Sequence, residues 1–441
     1  MRLADLLATG RAARHPVAWL GNHLEDWAGF SARVRGLAGV LAGRPEHNWL
    51  LACPELYEFA VALFAVWQSG GRALLPPSLR EGAIEALRDQ ADGVLADLAT
   101  FPAAGDFDFV RLDPERCGLD LFTSGSSGQP KRVAKSLAQL DAEVAVLDGL
   151  WGDDAGPVLA TVPHHHIYGL LFRVLWPLAS GRAFDDLTCT APEILLGRLA
   201  EIGPGLVVSS PAQLVRMHEL IDLADLAGRA SRIYSSGGPL PAEAAARFLA
   251  ALGRPPLEIL GSTESGGIAW REQVGDDAWT PLPGVAVTVF ADGALTLVSP
   301  FLPDTAPLAT GDAAEPLADG RFRLLGRLDR IAKIEEKRLS LPDMEARLAS
   351  HPWVCEAALA VLDGRRKHLG ALVVLSEGGH QALAREGRAA CAQALRRHLG
   401  HWFEPVLLPR RWRYANALPY NERGKLAVTD LAALFAEAGD D

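Results

Sequence analysis

The chain has 441 residues, of which 49% are hydrophobic and 22% charged, and its formal net charge is −11. This length exceeds what one hydrophobic core usually fills, so we expect two or more domains. The composition is ordinary for a globular enzyme and excludes a disordered protein. An acidic chain without a basic run is an improbable partner for nucleic acid.

The N-terminus and the cysteines predict a cytoplasmic protein with no membrane span. The first apolar stretch, residues 3–7, is interrupted by Asp5 and makes a poor signal peptide. The most apolar run, residues 59–67, is too short to cross a bilayer. The cysteines have neither paired nor metal-like spacing, so we expect buried, reduced thiols at Cys53, Cys117, Cys189, Cys355 and Cys391.

The first quarter of the chain alternates between predicted strands and helices. Residues 27–41 place Phe30, Val34 and Leu37 at helical spacing, which predicts an amphipathic helix. By similar arguments we predict strands at residues 49–52 and 73–75 and helices at residues 56–68 and 81–90. Short turns between alternating elements favour an α/β fold built on a mostly parallel sheet.

The same kind of pattern continues along the chain. The predicted elements are a helix at 137–150, a strand at 158–162, a strand at 206–210, a helix at 213–220, strands at 257–260 and 321–325, and a helix from residue 342.

A loop rich in glycine and hydroxyl residues follows the apolar residues 119–122. Glycines allow a sharp turn and a close approach of backbone N–H groups to a ligand, hydroxyls add donors, and a terminal lysine adds a positive charge. This pattern suits a polyphosphate, but no Gly-Lys-Ser/Thr follows, so it is not a Walker A loop. The alternative is a flexible surface loop. The candidate phosphate-binding residues are Thr123, Ser124, Gly125, Ser126, Ser127, Gly128 and Lys131.

The loop resembles the phosphate-binding loop of the adenylate-forming (AMP-binding) superfamily, which includes acyl- and aryl-CoA synthetases, luciferases and nonribosomal adenylation domains. The resemblance extends from about residue 25 to residue 430 and rests on motifs in the family's order. It implies a large N-terminal domain of mostly parallel sheets and helices at residues 1–328, with a shortened N-terminal portion. It also implies a small, mobile α+β domain at residues 329–441.

Three consecutive histidines, residues 164–166, invite a metal interpretation. Adjacent side chains point in different directions, however, so a tripeptide rarely closes on one ion. The segment resembles the family's Pro-x-x-His-x-x-Gly-Leu motif, which implies that His166 lies beside the acyl pocket. We interpret His164 and His165 as packing residues of the loop.

Two further segments resemble family motifs around ATP. The Ser-Gly-Gly at residues 236–238 implies that Gly237 and Gly238 lie against adenine, although Gly-Gly-Pro is also a common turn. The Gly-Ser-Thr-Glu at residues 261–264 implies that Thr263 contacts the ATP phosphate and that Glu264 holds Mg²⁺, a hard cation that prefers oxygen ligands. Relatives usually have an aromatic residue where this chain has Leu260.

The remaining motifs resemble the family's ribose, hinge and lysine segments. The Thr-Gly-Asp at residues 310–312 implies that Asp312 accepts hydrogen bonds from the ribose hydroxyls, and Gly-Arg-Leu-Asp implies that Arg327 contacts ribose or phosphate. Asp329 would be the hinge. Lys425, in Leu-Pro-x-x-x-x-Gly-Lys, would bridge the acid and the α-phosphate.

A narrower resemblance points to the substrate class. Residues 333–338 resemble the short ligases of bacterial aryl-polyene and xanthomonadin-type pigment clusters, although Glu336 replaces a glycine that lines the pantetheine tunnel in relatives. This implies that an aromatic acid such as a hydroxybenzoate is adenylated and transferred to an acyl carrier protein. Free CoA is the alternative acceptor, and an inactive nucleotide-binding module is a further alternative. Basic candidates for a carrier-protein contact are Arg410, Arg411 and Arg413, which could equally form a solvated face.

The acid pocket itself is predicted from family position only. Its expected border is a mixed polar and small-residue wall formed by His166, Ser209, Ser210, Ser236, Gly237, Gly238, Gly266 and Gly267.

Overall fold

The computed structural model describes residues 1–101, 105–124, 130–334, 337–362, 367–419, 431 and 433–435. The chain divides into two compact units. Unit 1 comprises Met1–Thr288, Thr296–Leu308 and Ala318–Arg321, and unit 2 comprises Val289–Leu295, Ala309–Leu317 and Phe322–Asp441. The functional boundary predicted between residues 328 and 329 stays a prediction.

Both units are built on β-strands. In chain order they are β1 Pro16–Leu20, β2 His23–Asp26, β3 Asn48–Leu51, β4 Arg72–Leu75, β5 Gly93–Leu95, β6 Gly118–Ser124, β7 Pro130–Ser136, β8 Val158–Ala160, β9 Phe184–Thr188, β10 Gly205–Ser209, β11 Ala230–Ser235, β12 Leu257–Ser262, β13 Gly266–Arg271, β14 Thr280–Pro281, β15 Ala286–Val289, β16 Ala294–Val298, β17 Leu308–Pro316, β18 Phe322–Arg327, β19 Ile331–Ile334, β20 Lys337–Ser340, β21 Val354–Leu362, β22 His368–Leu375 and β23 Arg411–Ala415.

The helices connect and cover these strands. They are α1 Leu6–Thr9, α2 Trp27–Ala42, α3 Leu56–Gln68, α4 Glu81–Glu85, α5 Leu137–Trp151, α6 Ile167–Gly169, α7 Trp176–Ser180, α8 Pro192–Ile202, α9 Pro211–Leu220, α10 Ala242–Leu252, α11 Leu341–Ala349 and α12 Glu377–Leu399. A π-helical stretch, Leu170–Leu175, joins α6 to α7. No helix in the described part of the chain is long and apolar enough to cross a membrane.

The largest sheet has nine strands in the order β14-β13-β12-β11-β10-β8-β9-β1-β2. Its middle is parallel, from β12 through β11, β10, β8 and β9 to β1, and its outer pairs are antiparallel. Every residue of β8 and β10 is buried, as expected for parallel strands covered on both faces. Because parallel strands end at one edge, the loops after β8, β10 and β11 lie together there, where open α/β sheets usually bind ligands.

A second sheet of unit 1 has the order β5-β3-β4-β6-β7 and is parallel except for the β6–β7 hairpin. Helix α3 is apolar on all sides, and Glu58 is its one residue that is not buried. Such a helix is stable only inside a core. The rings of Phe30 on α2 and of Trp67 both lie edge-on to Phe64 of α3.

Unit 2 has its own hydrophobic core. The β21–β22 hairpin and the parallel β23 form a three-stranded sheet. Met344 and Leu348 of α11 and Leu395 and Leu399 of α12 pack in one buried cluster with residues of β21 and β22. The described residues also form the hairpin β19–β20 and a four-stranded sheet in the order β15-β16-β17-β18.

The predicted α/β class is confirmed, and most predicted elements lie within two residues of the observed ones. The helix predicted at residues 81–90 is wrong in length, because α4 ends at Glu85 and a 3₁₀ turn, Arg88–Gln90, follows. The cysteine prediction is also partly wrong. All five thiols are free, and Cys53, Cys189 and Cys391 are buried, but Cys117 is half-buried and Cys355 is exposed.

Candidate active site

The predicted phosphate loop joins β6 to β7. The two strands pair with Thr123 opposite Lys131, and the Thr123 hydroxyl donates to the Lys131 carbonyl at 3.4 Å. Gly125, Ser126, Ser127 and Gly128 lie outside the described residues, and Ser124 is described as the last backbone position of β6. The hairpin therefore fixes the two ends of the predicted loop next to each other.

Thr263 and Glu264 occupy the turn between the antiparallel strands β12 and β13. Ser262 pairs with Gly266 across this turn. The turn is closed by Ser265, whose hydroxyl accepts from the Ser262 N–H at 3.0 Å while its own N–H donates to the Ser262 hydroxyl at 3.1 Å. Gly266 has φ +68°, a left-handed conformation that suits glycine after a three-residue hairpin loop. The hydrogen bonds between Ser262 and Ser265 and the left-handed Gly266 together form a tight turn with Glu264 at its tip.

Lys131 and Glu264, predicted independently from two motifs, are in direct contact. The Lys131 ammonium lies 2.7 Å from a Glu264 carboxylate oxygen, with the lysine side chain 59% and the glutamate side chain 35% exposed. Partial burial on its own would raise the pKa of Glu264, but hydrogen bonds from Lys131 and from backbone outweigh it and hold that pKa below its usual value. The carboxylate is therefore ionised at neutral pH, as a magnesium ligand must be.

Next to this turn lies a set of buried polar side chains that was not predicted from the sequence. We call Lys135, Gln139 and Glu143 the buried brace; their exposed fractions are 1%, 7% and 4%. Lys135 donates to the carbonyl of Glu264 at 2.8 Å, and Glu143 accepts from the N–H of Gly267 at 2.6 Å. Burial lowers the pKa of Lys135 and raises that of Glu143 to about 7.

The three histidines differ in exposure. His164 and His165 are buried, and burial lowers the pKa of each to about 3, so both are neutral. The ring of His164 bonds the Cys53 carbonyl at 3.2 Å, which fits the packing interpretation. His166 is exposed at the start of α6, with its ring 4.4 Å from that of His165. Within the described ranges no group of three or more His, Cys, Asp or Glu side chains is placed to hold a metal ion.

The predicted adenine and acid-pocket segments follow the adjacent strands β10 and β11. Ser209 ends β10 opposite Ser235, the last residue of β11. The Ser236 hydroxyl donates to the carbonyl of Ile259 in β12 at 2.8 Å, which ties this loop to the strand that leads to the Thr-Glu turn. Gly237, with φ +94°, and Gly238 are exposed. Of the predicted pocket wall, Ser209, Ser236, Gly266 and Gly267 are buried and Ser210 is half-buried.

Unit 2 brings together two predicted nucleotide residues. Asp312 of β17 pairs in register with Arg327 of β18. The Arg327 guanidinium donates to the Thr310 carbonyl at 2.9 Å and lies 3.5 Å from the Asp312 carboxylate. Gly311 has φ +75°, and a Cβ there would lie 2.8 Å from an Arg327 nitrogen, so glycine leaves room for the guanidinium.

The hinge and lysine predictions are less completely described. Asp329 lies in a single 3₁₀ turn, Leu328–Arg330, between β18 and β19. Lys425 and Glu336 lie outside the described residues.

The arginines considered for a carrier-protein contact have different surroundings. Arg411 donates to the Phe435 carbonyl at 2.8 Å, and the Arg413 guanidinium lies 5.6 Å from the centre of the Phe435 ring. Both therefore have a partner within unit 2. Arg410 and Arg411 are exposed, and Arg413 is half-buried.

Comparison with known proteins decides the family. The model of the AMP-binding enzyme family matches residues 89–298. A 4-coumarate–CoA ligase of Cereibacter sphaeroides is 34% identical over 318 residues, covering 69% of this chain and 69% of the relative. A second 4-coumarate–CoA ligase, from Rhodobacter capsulatus, is 30% identical over 332 residues, covering 72% and 77%. The chain belongs to the AMP-binding enzyme family.

The fold agrees with this membership. The ATP-bound structure of MatB from Rhodopseudomonas palustris superposes with a TM-score of 0.80 and covers 99% of each chain at 19% identity. Such a match confirms the shared fold, including a smaller C-terminal part. The two 4-coumarate–CoA ligases and an anthranilate–CoA ligase of Pseudomonas aeruginosa are AMP-forming acid–thiol ligases, and this confirms the predicted enzyme class.

Within the AMP-binding fold, the residues that sequence reasoning missed are those that support its motifs. Gln139 and Glu143 lie one turn apart on α5, next to the apolar positions Leu140 and Val144. A polar residue beside an apolar stripe is usually read as solvent-facing. The usable signal was Lys135: it lies four residues after Lys131 in one strand, so both point to the same face of β7.

Proposed function

We propose that the protein uses ATP and Mg²⁺ to adenylate an aromatic carboxylic acid, such as a hydroxybenzoate, and transfers the acyl group to a pantetheine thiol. The observation that carries this proposal is the 2.7 Å contact between Lys131 and Glu264. It joins the strand that leaves the phosphate loop to the turn with the candidate magnesium ligand. A phosphate chain between these two groups would find a cation for its oxygens and a carboxylate for its metal ion.

The residues present fit Mg²⁺. Magnesium in nucleotide sites usually takes one or two carboxylates and completes its shell with phosphates and water. Glu264 offers one ionised, part-exposed carboxylate beside Thr263, which is such a donor set. Mg²⁺ there would neutralise phosphate charge. Lys131, released from Glu264 when the metal binds, would be available to the phosphate oxygens.

The remaining nucleotide contacts are proposed from the motifs. Gly237 and Gly238, exposed after β11, would lie against adenine. Asp312 and Arg327, already adjacent, would bind the ribose hydroxyls and ribose or phosphate. A carboxylate can accept from two hydroxyls at once.

In the first half-reaction, a carboxylate oxygen of the acid bonds to the α-phosphorus of ATP as the bond from that phosphorus to the pyrophosphate oxygen breaks. Two anions meet, so preorganised positive charge and donors lower the barrier. We assign this role to Lys425 and to the loop donors Thr123, Ser124, Gly125, Ser126, Ser127, Gly128 and Lys131. His166, exposed at the strand ends, is proposed to border the acid.

In the second half-reaction, the thiol sulfur attacks the acyl carbon, AMP leaves with the bonding electrons, and the thiol proton is lost. Lys425 must leave for the thiol to enter. We propose that residues 329–441 move as a domain about Asp329, a change that a few backbone dihedrals can absorb.

The substrate and the acceptor are the finer parts of the proposal. Relatives named 4-coumarate–CoA ligases support an aromatic acid. The likeness of residues 333–338 to aryl-polyene and xanthomonadin-type ligases supports an acyl carrier protein as acceptor. Free CoA is the second candidate, favoured by the names of the curated relatives. Free thiols throughout suit a reducing compartment, so we place the reaction in the cytoplasm.

Thioester formation tests this function and separates its alternatives. The enzyme is incubated with ATP, Mg²⁺ and either 4-hydroxybenzoate or 4-coumarate. The acceptor is either CoA or a phosphopantetheinylated carrier protein, and the masses of the products are measured by mass spectrometry. A mass gain on the carrier protein supports the proposal, and acyl-CoA alone supports the second candidate. ATP binding without a thioester on either acceptor would indicate an inactive binding module.

A further inference from the structure

Three buried polar side chains of unit 1, with exposed fractions of 1%, 7% and 4%, form the brace Lys135, Gln139 and Glu143. Lysine and glutamate are rarely buried so completely, because a charge removed from water is strongly disfavoured unless it is paired and hydrogen-bonded. An apolar pair of similar volume is often as stable or more so. Their presence in the core therefore calls for a role that apolar side chains could not fill.

The brace bonds the Thr-Glu turn at its tip and at the strand that follows it. The Lys135 ammonium donates to the Glu264 carbonyl at 2.8 Å and to the Phe301 carbonyl at 3.0 Å. The Glu143 carboxylate accepts from the Gly267 N–H, three residues further along. The backbone at the tip of the turn and in the strand that follows it is thus bonded to side chains that are themselves buried in the core.

Gln139 fixes the brace in turn. Its side-chain N–H donates to the Phe301 carbonyl at 2.9 Å, so Phe301 receives bonds from both Lys135 and Gln139. Its side-chain oxygen accepts from the Ser136 N–H, while the Ser136 hydroxyl accepts from the Gln139 N–H. This capping box ties the brace to the start of α5, immediately after β7.

Gly266 is shaped to admit the brace. A Cβ at this position would lie 2.7 Å from the second carboxylate oxygen of Glu143 and 3.1 Å from the Phe301 side chain. A side chain at position 266 would therefore collide with the buried Glu143 carboxylate, and glycine leaves room for it.

The two lysines of β7 contact different parts of Glu264. Lys131 contacts the carboxylate and is 59% exposed, so it can exchange this partner for a phosphate. Lys135 contacts the backbone carbonyl of the same residue and is 1% exposed, so it stays in place. The same face of β7 thus provides an exchangeable contact to the Glu264 side chain, from Lys131, and a fixed contact to the Glu264 backbone, from Lys135.

We propose that Lys135 and Glu143 are positioning residues that hold the Thr-Glu turn so that the Glu264 carboxylate is preorganised for the metal–phosphate group. This rests on the proposed function, in which Glu264 holds Mg²⁺. The brace acts through the backbone of Glu264 and Gly267 and does not touch substrate. Its loss should therefore loosen the turn and weaken the Mg²⁺-dependent part of ATP binding, while the Mg²⁺-independent part is retained.

The test uses the double variant Lys135→Met/Glu143→Leu in the full chain. Both charges disappear together, so no unpaired charge is left in the core and the variant is expected to fold. Glu143→Gln is the matched control, because its amide oxygen can still accept from the Gly267 N–H. The readouts are amide hydrogen exchange over residues 262–267 and ATP affinity by calorimetry with and without Mg²⁺.

We expect exchange in this segment to be at least tenfold faster in the double variant, and the gain in ATP affinity from Mg²⁺ to fall by about tenfold. Glu143→Gln should stay close to the wild type in both. A folded double variant with wild-type exchange and an undiminished Mg²⁺ effect would overturn the proposal and make the brace a packing feature. If Mg²⁺ does not strengthen ATP binding in the wild type, the proposed function fails, and hydrogen exchange alone then decides whether the brace orders the turn.

Discussion

Replacing Glu264 by glutamine should separate stability from catalysis. The variant keeps the size of the side chain and removes the charge that pairs with Lys131. Because both side chains of this pair are more than a third exposed, water screens the ion pair, and it contributes about 0–1 kcal/mol to folding. A loss of about 1 kcal/mol shifts the melting temperature of a large domain by only about 2–4 °C.

The catalytic effect of the same change should be far larger. Removing one preorganised group that stabilises charge in the transition state typically raises the barrier by about 3–4 kcal/mol, or about 10²–10³ in rate. We therefore predict that Glu264→Gln slows acid-dependent ATP–pyrophosphate exchange by that factor, with a weaker response to Mg²⁺. The assay is a Mg²⁺ titration of exchange, combined with thermal melting.

Glu243→Gln is the matched control, because it removes an exposed carboxylate on α10 that pairs with Arg247 at 2.6 Å. It should change neither exchange nor melting temperature. Wild-type exchange by Glu264→Gln at every Mg²⁺ concentration would refute the assignment of this carboxylate. A fall of more than 10 °C in its melting temperature would instead show that the pair is structural.

Three further predictions address the turn, the buried histidines and the lysine. Gly266→Ala should lower the free energy of unfolding by at least about 1 kcal/mol more than the control Gly253→Ala. Both alanines would occupy a left-handed backbone position, but only the one at position 266 would meet other atoms. Equal shifts of the two variants in urea unfolding would contradict this. Burial, with the nearby Arg173 charge, lowers the pKa of His164 from its ordinary 6.5 to about 3. Between those pH values the unfolded chain binds more protons than the folded chain, so the free energy of unfolding decreases as the pH falls. His164→Gln should reduce this slope, measured by urea unfolding from pH 7 to 4, by up to about 1.4 kcal/mol per pH unit, and an unchanged slope would exclude a neutral buried imidazole. Lys425→Ala should reduce pyrophosphate exchange by about 10²–10³ and leave ATP affinity largely intact; equal exchange in variant and wild type would remove this lysine from the mechanism.

The elements that could be predicted from the sequence are those whose pattern is local. Helix α3 has the predicted bounds, since an apolar run with a clear stop at Gly70–Gly71 specifies both its type and its end. The helix from residue 81 was predicted too long because Leu87, which is buried, continues the helical spacing although the backbone leaves the α-helix after Glu85. Local periodicity does not report such a change of helix type.

The candidate site also has parts that the sequence indicates and parts that it does not. Motif order placed Lys131 and Glu264 in one site, and the structure brings their side chains together although they are 133 residues apart. Apart from the spacing of Lys135 from Lys131, nothing in the sequence indicates the brace, because the partners of Lys135 and Glu143 are backbone groups of Glu264, Phe301 and Gly267. Any residue offers those groups, so no pattern in the sequence marks them.

Acid-dependent ATP–pyrophosphate exchange with Mg²⁺, measured across hydroxybenzoates, cinnamates and fatty acids, tests the central claim most directly. It needs no thiol acceptor, so it reports adenylation alone. We predict exchange that depends on an added aromatic acid and is weak or absent with fatty acids. No exchange with any acid, in protein that binds ATP, would contradict the account and leave a nucleotide-binding module.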